Sequence, residues 1–187
     1  MNTSPLSEWL RSTPRLTPVA MALAMFWSAG VRASTFTVTT TADSGAVGSL
    51  RWAITSANAN PGPDIIQFNI PGGGIQTIFV GAALPPITDP VTIDGYSQPG
   101  ASVNTQAASD NANLLIELDG GGVSFNSLNV NSSSCVVKGL IIRGFFIGIE
   151  LAGGGGHQIN GNFIGIAPGG TAARNVGGFE SVIQSLM

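Results

Sequence analysis

The sequence predicts an all-β chain wound as a right-handed parallel β-helix, a solenoid covered at its start by one capping helix. Three observations predict it. After Asp64 the apolar residues come in short runs separated by Gly, Asn or Asp-Gly, with no helical period of useful length. The runs recur at offsets in the low twenties, the sign of a repeating coil. Composition is that of many strands and tight turns: 26 glycines, 11 prolines and only 9% charged residues, against about 25% in an average soluble protein.

At 43% hydrophobic, the 187-residue chain can build a core, so disorder is excluded. The net charge is −3 and there is no basic block, which excludes a phosphate-binding surface and hence nucleic acid. The single cysteine, Cys135, excludes a disulfide within the chain, and one His with one Cys leaves no His/Cys zinc site.

Residues 1–33 read as a secretory signal. Arg11 and Arg15 supply the positive start, Leu16 to Val31 is mostly apolar, and Val31-Arg32-Ala33 offers a small-residue cleavage site with Ser34 as the new N-terminus. Bilayer spanning needs about 20 apolar residues; this run is shorter, with Pro18 near its start, so cleavage is expected rather than anchoring. Removing residues 1–33 takes away Glu8, Arg11, Arg15 and Arg32 and leaves nine acidic and four basic residues, a net of −5. The expectation is a secreted or cell-surface protein that has no membrane contact after cleavage.

Residues 34–63 hold a strand and a helix. Phe36, Val38 and Thr40 alternate onto one face, and Asp43-Ser-Gly45 turns the chain. Leu50, Ala53, Ile54 and Ala57 then form one stripe of an amphipathic helix over residues 49–58, with Ser49 as N-cap and Asn58 to Gly62 as its stop. Trp52 lies opposite that stripe and is expected to pack against the Phe36 strand.

Residues 64–178 are the coils. Their runs are Ile65 to Phe68, Gln76 to Val80, Val91 to Ile93, Leu114 to Leu118, Cys135 to Val137, Leu140 to Ile142, Ile147 to Leu151, and Phe163-Ile164. Val137, Gly139 and Ile141 match Ile159, Gly161 and Phe163 at an offset of 22, and Thr92 to Gly95 match Glu117 to Gly120 at 25. At that period the segment makes about five coils. No run can bury its own apolar face; stacked coils pair their strands in parallel about 4.8 Å apart and share one core, and Asn residues at like positions can form ladders. The helix is the natural N-terminal cover for the stack. Residues 179–187 depart from the pattern, so the expectation is a shortened chain whose open C-terminal end invites self-association.

Phe36 to Asp43, Gly48-Ser-Leu-Arg-Trp-Ala-Ile54 and Ala57 to Gly62 resemble the CSLREA motif that opens many exported β-helix repeat proteins of bacterial surfaces. Ile66 to Gly72, Leu84 to Gly95, Val137 to Ile142 and Ile159 to Gly165 fit the same family, so the resemblance covers nearly all of residues 35–178. It implies a pectate-lyase-like β-helix outside the cytoplasm. Two positions depart from the motif: Gly48 stands for its Cys and Trp52 for its Glu. Without that Glu the helix start lacks the reciprocal bond of a capping box, a loss of at most about 1 kcal/mol.

An enzyme on this scaffold would cut acidic polysaccharide, with carboxylates holding calcium and an Arg or Lys as base. The candidate catalytic residues are Glu117, Asp119 and Arg143, and the candidate calcium ligands are Asp94 and Asp119; Glu150 and Lys138 complete the set. The blander reading is the expected one. Asp94 and Asp119 precede Gly and cap turns, Glu117 and Glu150 alternate with apolar residues and are solvated, and Lys138 and Arg143 lie at the surface. His157 is expected to be exposed on its Gly-rich turn, and Cys135 to fill the core. No cofactor is expected beyond that calcium option. The expected function is non-enzymatic adhesion, display or binding of polysaccharide or other cell-surface components. The alternatives are a lyase or hydrolase of acidic polysaccharide and a truncated piece of a larger surface protein.

Overall fold

The structure, a computed structural model, describes residues 32–166 and the backbone pair Gln184–Ser185. Most of the expected signal, up to residue 31, lies outside the described residues, as does the expected tail apart from that pair.

The chain is mostly β, with one α-helix. Its strands are β1 (Thr35–Val38), β2 (Asp64–Phe68), β3 (Gln76–Phe79), β4 (Val91–Asp94), β5 (Ile116–Asp119) and β6 (Leu128–Val130). They continue with β7 (Val136–Lys138), β8 (Leu140–Arg143), β9 (Ile149–Leu151), β10 (Gln158–Asn160), β11 (Phe163–Ile164) and β12 (Gln184–Ser185); helix α1 is Leu50–Ala59. All ladders between these strands are parallel. The first sheet runs β1-β2-β4-β7-β10, the second β11-β8-β5-β3, and the third β12-β9-β6. From β4 onward the chain visits first, second and third sheet in strict rotation. The pass from β2 does the same, with an isolated parallel bridge between Ile87 and Val130 standing in for a strand of the third sheet.

The short runs explain this arrangement. Period-two alternation turns one apolar side of each strand to a common interior. Ile66, Ile93, Val137 and Ile159 stand in register across the first sheet, and Ile78, Leu118, Ile142 and Ile164 across the second. Leu128 pairs with Ile149 in the third. Those rows join Phe68, Ile87, Cys135 and Phe145 in one apolar cluster. Each fully buried Ile, Leu or Phe contributes about 1.5–3 kcal/mol.

Helix α1 lays the predicted stripe, Leu50, Ala53, Ile54 and Ala57, into the same cluster. Ser49 caps it: its Oγ accepts from the Trp52 amide at 3.1 Å and donates to the Ser44 carbonyl. The bond that a Glu at position 52 would have given to the Ser49 amide comes instead from the Ala46 carbonyl, at 3.1 Å. Gly48 has φ +89°, and a Cβ there would strike the Thr39 hydroxyl, so this position needs glycine. Trp52 meets Phe36 edge to face with ring centres 5.9 Å apart, the contact expected for it.

Two expectations about the repeat are corrected. The offset of 22 is a true register, Val137 on Ile159 and Ile141 on Phe163. The offset of 25 is not: β4 carrying Asp94 and β5 carrying Asp119 lie in different sheets. Nor is the period uniform. In the first sheet Ile66 stacks on Ile93, Ile93 on Val137 and Val137 on Ile159, spacings of 27, 44 and 22 residues. From Asp64 to Ile166 that sheet therefore takes four strands. A long segment between Gln98 and Leu115, held by a two-way bridge between Ser102 and Asn113, lengthens one pass. No Asn–Asn ladder forms among the described residues; Asn side chains bond to backbone carbonyls, other polar side chains and two carboxylates instead.

Candidate functional site

The outward side of the second sheet gathers the sequence candidates. Glu117 and Asp119 share a face of β5 because they are two residues apart, and β8 sets Arg143 directly across from Asp119. Arg143 Nε donates to Glu117 Oε1 at 2.5 Å, and its Nη2 lies 2.8 Å from Asp119 Oδ2. The Thr77 hydroxyl, on β3, donates to Glu117 Oε2 at 2.6 Å. Asp119 Oδ1 accepts from the Gly121 amide, the turn cap expected of it.

Three candidates, Glu117, Asp119 and Arg143, are thus brought together, but the expectation that Glu117 is solvated fails. Glu117 is 3% exposed and Asp119 5%, and the Arg143 side chain keeps only 20%. Alternation gave the right direction, away from the apolar cluster, yet outward does not mean wet when neighbours close over the row. Burial alone would push the Glu117 carboxyl up; the hydrogen bonds from Arg143 and Thr77 and the guanidinium charge outweigh it, and the net shift is downward. The bond to Glu117 pushes Arg143 further up, with the charges of Glu117 and Asp119 adding to it against burial. A guanidinium held between two carboxylates stays protonated and does not accept a substrate proton. Its nitrogens also occupy one oxygen of each carboxylate, Glu117 Oε1 and Asp119 Oδ2, so a divalent cation would compete with Arg143 there.

The two calcium candidates are not brought together. Asp94 lies in the first sheet, pairs with Lys138 at 3.0 Å, and caps its turn by accepting from the Tyr96 amide. Among the described residues no cluster of three or more His, Cys, Asp or Glu side chains could hold a metal. His157 is half-buried rather than exposed: its Nδ1 accepts from the Cys135 amide, which leaves Nε2 to donate to the Gly153 carbonyl at 3.0 Å and fasten the Gly-rich turn. Cys135 is buried as expected, and burial raises its thiol pKa.

The third sheet carries what the sequence candidates mostly missed. An open cleft of about 630 Å³ lies along its outer side, lined by Phe125, Asn126, Asn129, Asn131, Phe146 and Glu150 among others. Asn129 on β6 and Glu150 on β9 stand in register. Asn126 Nδ2 donates to Glu150 Oε2 at 2.7 Å, and Asn129 Oδ1 is buried with no partner. Phe146 keeps 45% of its surface exposed at the edge of the cleft, and Phe125 leans on buried Phe145 with ring centres 6.2 Å apart. Of this group only Glu150 was a sequence candidate. The available signal was the Asn/Phe-rich stretch Ser124 to Asn131, which falls between the apolar runs Leu114 to Leu118 and Cys135 to Val137.

No protein-family model matches the chain, and no curated protein matches it significantly in sequence.

Proposed function

We propose that the chain is an exported or cell-surface right-handed parallel β-helix protein that binds glycans without cleaving them. The single observation that carries the binding part is the third-sheet cleft. It sets amide groups and one carboxylate beside an exposed aromatic ring, the mixture that holds sugar hydroxyls on one side and the apolar face of a sugar on the other. Glu150 is the charged group in that lining, and its negative charge favours an uncharged saccharide over a uronate chain. The strict rotation of strands among three sheets supports the solenoid. The apolar segment before residue 32 and the small-residue site before Ser34 support export.

The test is a glycan array probed with residues 34–187. Binding to neutral oligosaccharides is expected. Phe146→Ala removes an exposed ring, so it weakens that binding by about fivefold, the loss of one stacking contact of roughly 1 kcal/mol, with folding intact. An array with no neutral-glycan signal, or new chain ends released from an acidic polysaccharide, refutes the reading.

A further inference from the structure

We infer that cutting the chain between Ala33 and Ser34 converts a part-buried peptide hydrogen bond into an ion pair between the new Ser34 α-ammonium and the buried Asp64 carboxylate. The inference rests on the export reading for the presence of that cut, but its geometry stands on its own.

Asp64 opens β2 and is 2% exposed. Its Oδ1 accepts from the Ser34 amide at 2.8 Å and from Asn60 Nδ2 at 2.7 Å, while its Oδ2 is buried without a partner. Among the described residues no Lys, Arg or His pairs with it. A carboxylate taken out of water without a cation is costly, and two neutral donors on one oxygen offset only part of that cost. The parallel register fixes the neighbour: Thr35 stands beside Ile65, and the Ser34 carbonyl accepts from the Ile65 amide at 2.8 Å, so the Ser34 nitrogen is held over Asp64. Arg32 and Ala33, by contrast, are exposed, which leaves the bond between Ala33 and Ser34 within reach of a processing peptidase.

The change is local. In the uncut chain the Ser34 nitrogen carries one hydrogen, already spent on Oδ1. Hydrolysis puts the hydroxyl of a water on the Ala33 carbonyl carbon and its proton on the Ser34 nitrogen; the amine takes one further proton from solvent at neutral pH. The same atom, still anchored through the Ser34 carbonyl, then offers three donors and a positive charge to both oxygens of Asp64. The cut chain thus gains a partner for Asp64 that the uncut chain lacks, and its first strand is pinned after export.

The test compares residues 34–187, released from a fusion partner with a free Ser34 amine, with residues 33–187, each with and without Asp64→Asn. Lys138 is the sole lysine of the sequence, so each form has two primary amines. Both are labelled at pH 7 with limiting N-hydroxysuccinimide acetate and read by peptide mass. An ordinary α-amine, with a pKa of about 7.7–8.0, outreacts a lysine of about 10.4. In 34–187 Ser34 is expected to label more slowly than Lys138, and Asp64→Asn to speed it by about tenfold per unit of pKa released. In 33–187 the Ala33 amine labels first with or without Asp64, and 34–187 melts above 33–187 only when Asp64 is present. Should Asp64→Asn not fold, the comparison of the two lengths carries the test. Ser34 labelling ahead of Lys138 in the unaltered 34–187, or equal melting of the two lengths, overturns the ion pair. N-terminal sequencing of the exported protein reads the cut separately: Ser34 as first residue supports it, and any other first residue overturns it. Neither readout depends on glycan binding.

Discussion

Replacing Arg143 by Met leaves Glu117 and Asp119 as neighbouring carboxylates, 3% and 5% exposed, with no cation between them. Breaking a buried pair by removing one partner costs about 3–5 kcal/mol, and the 20% exposure of the Arg143 side chain puts this case near 3. A domain holds about 5–15 kcal/mol in all, so the loss is large. With a urea slope of about 2 kcal/mol/M the unfolding midpoint falls by about 1.5 M at pH 7. The pH dependence is the sharper test. In the native protein the folded pKa of Glu117 lies below its ordinary value, so its contribution is present above the ordinary carboxylate range and is lost as pH falls through the folded value. In the variant, burial, the largest influence on this carboxyl, is opposed by Thr77 alone. Its pKa rises above the ordinary value, and stability then recovers as pH falls toward 4. Urea titrations of residues 34–187, followed by fluorescence of Trp52, measure both trends, since the other tryptophans precede Ser34. A midpoint shift below about 0.5 M, or native and variant losing stability in parallel on acidification, would refute the reasoning.

Ser49→Ala removes both the cap to Trp52 and the bond to the Ser44 carbonyl; a loss of about 1–2 kcal/mol in chemical denaturation is expected. Gly120→Ala drives a Cβ into the Gly144 carbonyl and the Phe145 ring of the neighbouring pass, whereas Gly73→Ala meets nothing within 4 Å. The first should lower the melting temperature clearly and the second leave it almost unchanged. Leu118→Ala empties the centre of the row formed with Ile78 and Ile142 and should cost about 2–5 kcal/mol.

The strands and the helix were legible because apolar spacing is a direct record of which side of an element is buried. The apolar stripe from Leu50 to Ala57 and the runs around Ile66, Leu118 and Ile141 all read correctly. Strand β6 was missed because Leu128-Asn-Val130 sits inside the Ser/Asn-rich stretch Ser124 to Ser134, whose turn-forming residues obscure its alternation. The false register between Asp94 and Asp119 has a physical origin. Both aspartates cap turns through the amide two residues on, and that local chemistry is the same at any corner, so it cannot say which sheet the corner belongs to. At the site, alternation placed Glu117 and Asp119 on one outward face but could not show Arg143 between them. That neighbour comes from β8, and only the register of separate passes supplies it. The cleft was illegible for the same reason: Asn129 and Glu150 are 21 positions apart in the sequence and become a pair only in the third sheet.

The unequal passes have an engineering consequence. The longest spacing in the first sheet, 44 residues, is twice the shortest, 22, yet Ile93 and Val137 pair as regularly as Val137 and Ile159. Doubling a loop adds only about 0.6 kcal/mol of closure entropy. The excursion between Gln98 and Leu115 therefore marks a corner where foreign peptide can be grafted for display, since the ladders on either side answer to each other and not to the length of chain that joins them.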